Sequence, residues 1–280
     1  MKHLLCVLAA ICLLAACSSD QTVNQAAKHE EADKEKEKEG QKSDKAPEEP
    51  APEEEEKESA KTAAEPEALP KYKINPANWT IEPLSANINA KAVLITIDDA
   101  PDKHSLEMAH TLKDLGINAI FFVNGHFLDS DEEKKTLKDI HNLGFPIGNH
   151  TMTHANLKAL SAEEQRNEIV RLNDLVEATI GERPRFFRAP FGSNTDESRK
   201  LAEEEKMVLM NWTYGYDWEK AYQSKDALTD IMVNSPFLTD GANLLMHDRE
   251  WTNEALKGIV EGLKAKGYEI ADPHSIEKIS

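Results

Sequence analysis

The chain has 280 residues and a formal net charge of −18, carrying 51 Asp and Glu against 33 Lys and Arg. That balance excludes a nucleic-acid binder, which would show a basic stripe to neutralise phosphates. All three cysteines (Cys6, Cys12, Cys17) lie in the first 17 residues, so the remainder can hold neither a disulfide framework nor a thiolate metal site.

Met1-Lys2-His3 is a short basic start, and Leu4 to Leu14 is an apolar run. The run is too short to span a bilayer and fits the h-region of a signal peptide. It ends in Leu14-Ala15-Ala16-Cys17, which resembles a bacterial lipobox. The resemblance implies cleavage after residue 16, lipid attachment at Cys17, and a place on the outer face of a bacterial cell membrane. An ordinary secretory signal cleaved after Ala16 is the other reading. Residues 18–71 contain no Phe, Trp or Tyr, and residues 30–67 are mostly Glu, Lys, Ala and Pro. Such a stretch cannot bury enough apolar surface to offset the entropy of ordering it. Residues 17–70 are therefore expected to be a disordered acidic tether, with a wall- or protein-binding tail as the alternative. Residues 71–280 are expected to be one folded domain.

In that domain strands and helices alternate. Val93 to Ile97 is a β-branched run, as a buried parallel strand would be. Ser105 can cap a helix through Leu115, closed by Gly116. A strand at Ala119–Val123, a helix at Asp131–Leu143 closed by Gly144, and a strand at Phe145–Gly148 follow. Ser161 with Glu164 makes a capping box, and Ile169, Leu172, Leu175, Val176 and Ile180 give its helix an apolar face. Arg185–Arg188 reads as a strand, Asp196–Lys206 as a helix and Met207–Trp212 as a strand. Residues 219–238 are ambiguous. Ala242–Met246 is a strand, Thr252–Lys266 a helix and Tyr268–Ala271 a last strand. Seven strands with helical crossovers predict an α/β fold with a parallel sheet, whose chemistry would gather at the strand ends.

Five short segments at those ends carry the polar residues. Asp98 and Asp99 follow the first strand; adjacent carboxylates point in different directions, so one can bind a metal while the other acts as a base, although such a pair also suits a turn. His150 and His154 are four apart, a spacing that puts two imidazoles on one side of a helical turn, where they can grip one cation or simply face water. Thr151 and Thr153 could steady the rings. Asp99 with the two histidines gives a His₂-carboxylate set suited to Zn²⁺ in hydrolysis, with other divalent ions open. Arg188-Ala189-Pro190-Phe191 offers an arginine to orient a carboxylate or to make a structural ion pair. Asn211 to Trp218 holds two Trp, two Tyr and Asp217, enough for a sugar-stacking wall or for core packing. Leu245-Met246-His247-Asp248 places a histidine after an apolar strand.

The order TIDD, HTMTH, RAPF, a YDW loop and LMH resembles the NodB-type polysaccharide deacetylases, carbohydrate esterase family 4, across about residues 90–275. The resemblance implies a distorted (β/α) barrel of about seven parallel strands that removes acetyl groups from N-acetylated sugars with one divalent metal: Zn²⁺ foremost, Co²⁺, Ni²⁺ or Mn²⁺ otherwise. By position it implies Asp98 as general base, Asp99, His150 and His154 as metal ligands, and Arg188 as the residue orienting the base. His247 would be the general acid, Asp217 a further catalytic residue as the carboxylate that the fourth motif keeps, and Pro190, Phe191, Trp218 and Leu245 the substrate contacts. Two departures matter. Ala100 stands where glycine is usual, a strain if that turn needs positive φ. Tyr214 stands where the fourth motif usually has its first Asp; if that Asp were the tuner, His247 would be less basic. An aromatic fourth motif ending in Asp-Trp also resembles the muramic branch of the family. The expected partners are a cell-wall glycan, first N-acetylglucosamine in peptidoglycan, and the membrane through Cys17, with the chain a monomer. An envelope-stabilising lipoprotein without strong activity is the competing reading.

Overall fold

The computed structural model describes residues 69–279; the expected signal peptide, the lipidation site Cys17 and nearly all of the expected tether lie outside them. A two-stranded antiparallel ladder, β1 (Tyr72–Ile74) and β2 (Ile81–Pro83), comes first. Then follow β3 (Ala92–Ala100), α1 (Ser105–Asp114), β4 (Ile120–Val123), α2 (Asp131–Asn142), β5 (Ile147–Asn149), α3 (Ala162–Ile180), β6 (Phe186–Phe187), α4 (Asp196–Glu204), β7 (Val208–Leu209), α5 (Lys225–Asn234), β8 (Asn243–His247), α6 (Glu250–Ala265) and β9 (Glu269–Ile270). The main sheet has seven parallel strands in the order β7-β6-β5-β4-β3-β8, with β9 also on β3. It curls into a half-barrel. The chain after β7 narrows the gap to β8: Thr213 N–H donates to Asn243 O at 2.8 Å, and Leu245 N–H to Tyr214 O at 2.9 Å.

Strand alternation sorts the core. On β3, Val93, Ile95 and Ile97 pack outward with Leu112 of α1 and Leu256, Ile259 and Val260 of α6. Ala92 and Leu94 point inward, against Ile120, Phe122, Phe186 and Met210. Each fully buried aliphatic or Phe side chain contributes roughly 1.5–3 kcal/mol. Tyr72 and Ile81 of the β1–β2 ladder pack into the same inner cluster, near the start of the strands. Continuing the inward alternation, Thr96 and Asp98 form a polar layer above the apolar one.

Helix ends follow the sequence in part. Ser161 and Glu164 form the expected capping box. Ser105 does not cap α1. It is the first helical residue, and the buried carboxylate of Asp248 takes the amides of Lys103, His104 and Ser105 together with the Ser105 hydroxyl. The cap therefore comes from the end of β8, where a stronger acceptor displaces the local hydroxyl. Several strands are shorter than expected, β6 and β7 most of all, at two residues each. The ambiguous stretch 219–238 contains α5.

Candidate active site

Asp98 and Asp99 share one cavity although they are neighbours on a strand. The β3–β4 register shifts between Ile97 and Ala100, and Asp99 has φ +61°. A bulge of this kind re-aims a side chain that would otherwise face the helices. The left-handed residue is Asp99, a type that tolerates this region, and not Ala100; the expected strain at Ala100 is absent. On the other side of β3, Asp98 is the register partner of His247 on β8.

His150 and His154 do not lie on a helical turn. They sit in an irregular loop after β5, with Thr151 at φ +71° and His154 at φ +57°, and their ring centroids are 5.0 Å apart. The flanking threonines do not hold the rings. Thr153 donates its amide and hydroxyl to Glu168 on α3, fixing the loop. The oxygen that orients His150 is the Arg188 carbonyl, 2.7 Å from Nδ1. Asn149 braces the loop from within, accepting from Thr151 N–H and donating to Ile169 O and Asn173 Oδ1. Six non-glycine residues among those described have positive φ, and four of them (Asp99, Thr151, His154, Phe191) stand at this site. Strained backbone is retained where the surrounding structure over-determines it, commonly at functional sites.

One ligand atom from each of Asp99, His150 and His154 lies within 4.8 Å of the others. The donor set fits a divalent cation. With Nδ1 of His150 committed to a carbonyl, its proton sits there and Nε2 presents a lone pair. Burial holds the pKa of His150 below the ordinary value, and burial with the neighbouring His150 does the same for His154. Both rings are thus kept neutral, as ligands must be. Burial raises the pKa of the Asp99 carboxyl, but the positive charges of His247 and Arg249 oppose it, and the carboxyl lies below its usual range.

Arg188 is wholly buried. Its Nη1 donates to Asp98 Oδ1 at 2.6 Å and to Thr96 Oγ1 at 2.8 Å, and its Nη2 to Asn211 O at 2.8 Å. Its guanidinium lies 4.3 Å from the Phe122 ring centroid, so the polar layer rests on an aromatic face. Asp217 supplies a carboxylate to His247: Oδ1 is 2.7 Å from Nδ1, while Oδ2 accepts from His247 N–H and Thr252 Oγ1. Burial works against charge on this ring, yet the Asp217 carboxylate prevails and the His247 pKa is raised. Tyr214, in the position of the absent first Asp, instead packs in the outer core and donates to Met232 O. Gly215 lets this loop close, since a Cβ there would lie 2.3 Å from Leu245 O.

Asp217→Asn removes the anion that raises the His247 pKa and leaves the burial that lowers it. A histidine acting as an acid works while protonated, so activity is lost as pH rises through its pKa. The alkaline limb of kcat/KM against pH is expected to move to lower pH. An unmoved limb would show that His247 is not the group titrating.

The cavity measures about 380 Å³, and Phe191, Trp212, Trp218 and Leu245 form its apolar walls. Phe191 is 4.8 Å from the His154 ring, and Trp218 is 5.6 Å from His247, both edge-on. Of the expected substrate contacts, Phe191, Trp218 and Leu245 line it; Pro190 does not, being buried where it starts the turn that presents Phe191. Trp212 was legible only as one aromatic of a rich segment. Arg249, whose Nη2 is 2.8 Å from Asp99 Oδ2, carried no sequence signal beyond following the LMHD run. A larger cleft of about 670 Å³ opens at the opposite ends of the strands, but its Arg183 is already paired with Asp174, Glu177 and Glu205.

A curled parallel half-barrel with a carboxylate–imidazole triad at its strand ends, flanked by a buried Arg–Asp pair and an Asp–His pair, defines a hydrolase-type centre on an α/β scaffold. Comparison with known proteins is consistent with this. A family model described as polysaccharide deacetylase matches residues 85–210. A peptidoglycan-N-acetylglucosamine deacetylase of Bacillus cereus is 30% identical over 190 residues, 65% of this chain and 67% of that one. The peptidoglycan-N-acetylmuramic acid deacetylase PdaC of Bacillus subtilis is 29% identical over 76% of this chain, which spans only 44% of PdaC. Among solved structures, a CE4 family pseudoenzyme from Bacillus anthracis superposes with a TM-score of 0.60 at 31% identity, covering 68% of this chain and 67% of that one. The chain belongs to the polysaccharide deacetylase family.

Proposed function

We propose that this protein removes acetyl groups from N-acetylglucosamine residues of peptidoglycan by metal-dependent amide hydrolysis. The observation that carries the reading is the placement of Asp98 and His247 as register partners beside the Asp99–His150–His154 triad, in one cavity with aromatic walls. A divalent ion held by the triad would polarise the acetyl carbonyl and acidify water. Asp98, oriented by Arg188, takes a proton from the attacking water. A backbone N–H near Phe191, which lines the cavity, would be the chain's own donor for the charge that grows on the carbonyl oxygen. His247 protonates the departing amine, with Asp217 stabilising its charged form. Phe191 and Trp218, two of the large exposed apolar side chains, present faces for sugar rings.

The reading includes a lipid anchor at Cys17 on the outer membrane face, with residues 17–70 as the tether. N-acetylmuramic acid is the second substrate, favoured by the similarity to PdaC over 76% of the chain. The similarity to a pseudoenzyme supports an envelope role without catalysis, and the complete ligand triad argues against it.

Incubating the purified chain with N-acetylglucosamine oligomers and with peptidoglycan, with Zn²⁺ or Co²⁺ or with a chelator, tests this. Mass spectrometry is expected to show acetate loss that the chelator abolishes, and the deacetylated sugar decides between the two substrates. Cys17→Ser is expected to move the activity from membranes to the medium. Absence of acetate release from both substrates by metal-loaded protein would sink the enzymatic reading.

A further inference from the structure

We infer that Arg249 is a positioning residue for the metal ligand Asp99, holding one carboxylate oxygen so that the other alone is offered to the ion. This rests on the reading of Asp99, His150 and His154 as a metal site.

Three observations carry it. First, the two Asp99 oxygens are in different company: Oδ1 lies 3.6 Å from His154 Nε2, while Oδ2 accepts from Arg249 Nη2 at 2.8 Å. Second, Arg249 is itself anchored. Its Nη1 donates to Asp248 O at 3.0 Å, and the Asp248 side chain is buried and fastened to the amides that follow the Asp99 loop. The guanidinium therefore ties the end of β8 to the bulge on β3. Third, Asp99 needs such a tie. Its backbone is in the left-handed region at a register shift, where no sheet partner fixes its side chain.

Two opposite effects follow from this contact, and their sizes decide what a measurement can read. A guanidinium near the ion repels it. Because the Arg249 side chain is 37% exposed, that repulsion is water-screened, yet against a divalent ion it still amounts to roughly thirtyfold in affinity at ~4 Å. Fixing a ligating carboxylate is an effect of the same size, since loss of such partners typically costs about 10–100-fold in metal affinity. The two nearly cancel in net affinity, so the mark of Arg249 is a fixed, monodentate Asp99, read by comparing variants that both lack the charge.

The test measures Zn²⁺ and Co²⁺ affinity of the full chain, purified in detergent, by competition with a fluorescent chelator. Visible absorption of the Co²⁺ form and thermal melting without metal accompany it. Arg249→Ala is expected to bind Zn²⁺ roughly 10–100-fold more weakly than Arg249→Gln, since neither carries the charge and only Gln can hold the carboxylate. The Co²⁺ bands of Arg249→Ala should weaken as the freed carboxylate turns bidentate and the coordination number rises. Arg249→Gln keeps an N–H donor without the charge, and is expected to bind up to roughly thirtyfold more tightly than the original chain. Equal affinities, or the same Co²⁺ spectrum, in Arg249→Ala and Arg249→Gln would overturn the assignment. Failure of the unsubstituted chain to bind either ion would overturn the metal reading itself.

Discussion

Asp98→Asn is expected to lower kcat/KM for deacetylation by roughly 10²–10⁴-fold, the range a positioned acid or base usually supplies. The substitution keeps the shape of the side chain and an oxygen for Arg188 Nη1, which now lies 2.6 Å from Oδ1. What it removes is the capacity to take a proton. The same change leaves the Arg188 guanidinium, wholly buried, without its counter-charge, so stability falls as well. The measurement therefore needs initial rates normalised to folded protein, with metal content determined on the same sample. Asp98 is not one of the three ligand residues, so metal content is expected to hold while turnover collapses. A fall of less than tenfold in fully folded, metal-loaded protein would remove Asp98 from the role of base.

The elements with strong periodicity were legible from residues alone. β3 and β8 alternate between an outer face packed on helices and an inner face that turns polar toward its end, and the sequence already placed Asp98, His150 and His247 after strands. The family pattern then picked out the triad and its partners. What remained illegible depends on contacts between distant segments. The bulge that brings Asp99 beside Asp98 is a property of the β3–β4 register, not of the dipeptide. The loop from His150 to His154 looks helical by spacing, yet Glu168 and Asn149 pull it into another course. Tyr214 raised doubt about the acid, and Asp217 resolves it by contacting the His247 ring directly. Ser105 has the composition of a cap, but a carboxylate 143 residues away takes the position. Arg249 resembles any partly exposed helix-start residue until Asp99 is seen beside it.

Arg188→Met is expected to destabilise the metal-free protein by about 3–5 kcal/mol in urea unfolding, the usual cost of removing one partner of a buried ion pair. Methionine fills much of the volume and keeps contact with Phe122. It provides no donor for Asp98 Oδ1, Thr96 Oγ1 or Asn211 O, and it leaves a carboxylate that is 2% exposed without its guanidinium. Packing loss is the rival explanation, and a double-mutant cycle separates the two. If the cost comes from the stranded charge, Asp98→Asn combined with Arg188→Met should be more stable than the two single losses summed, by at least about 1 kcal/mol. If the cost is packing, the losses add. Additive losses, or an Arg188→Met loss below about 1 kcal/mol, would show that this pair does not carry the stability of the inner polar layer. In that case the arginine would serve orientation of Asp98 alone, and its signature would be a fall in kcat with the fold intact.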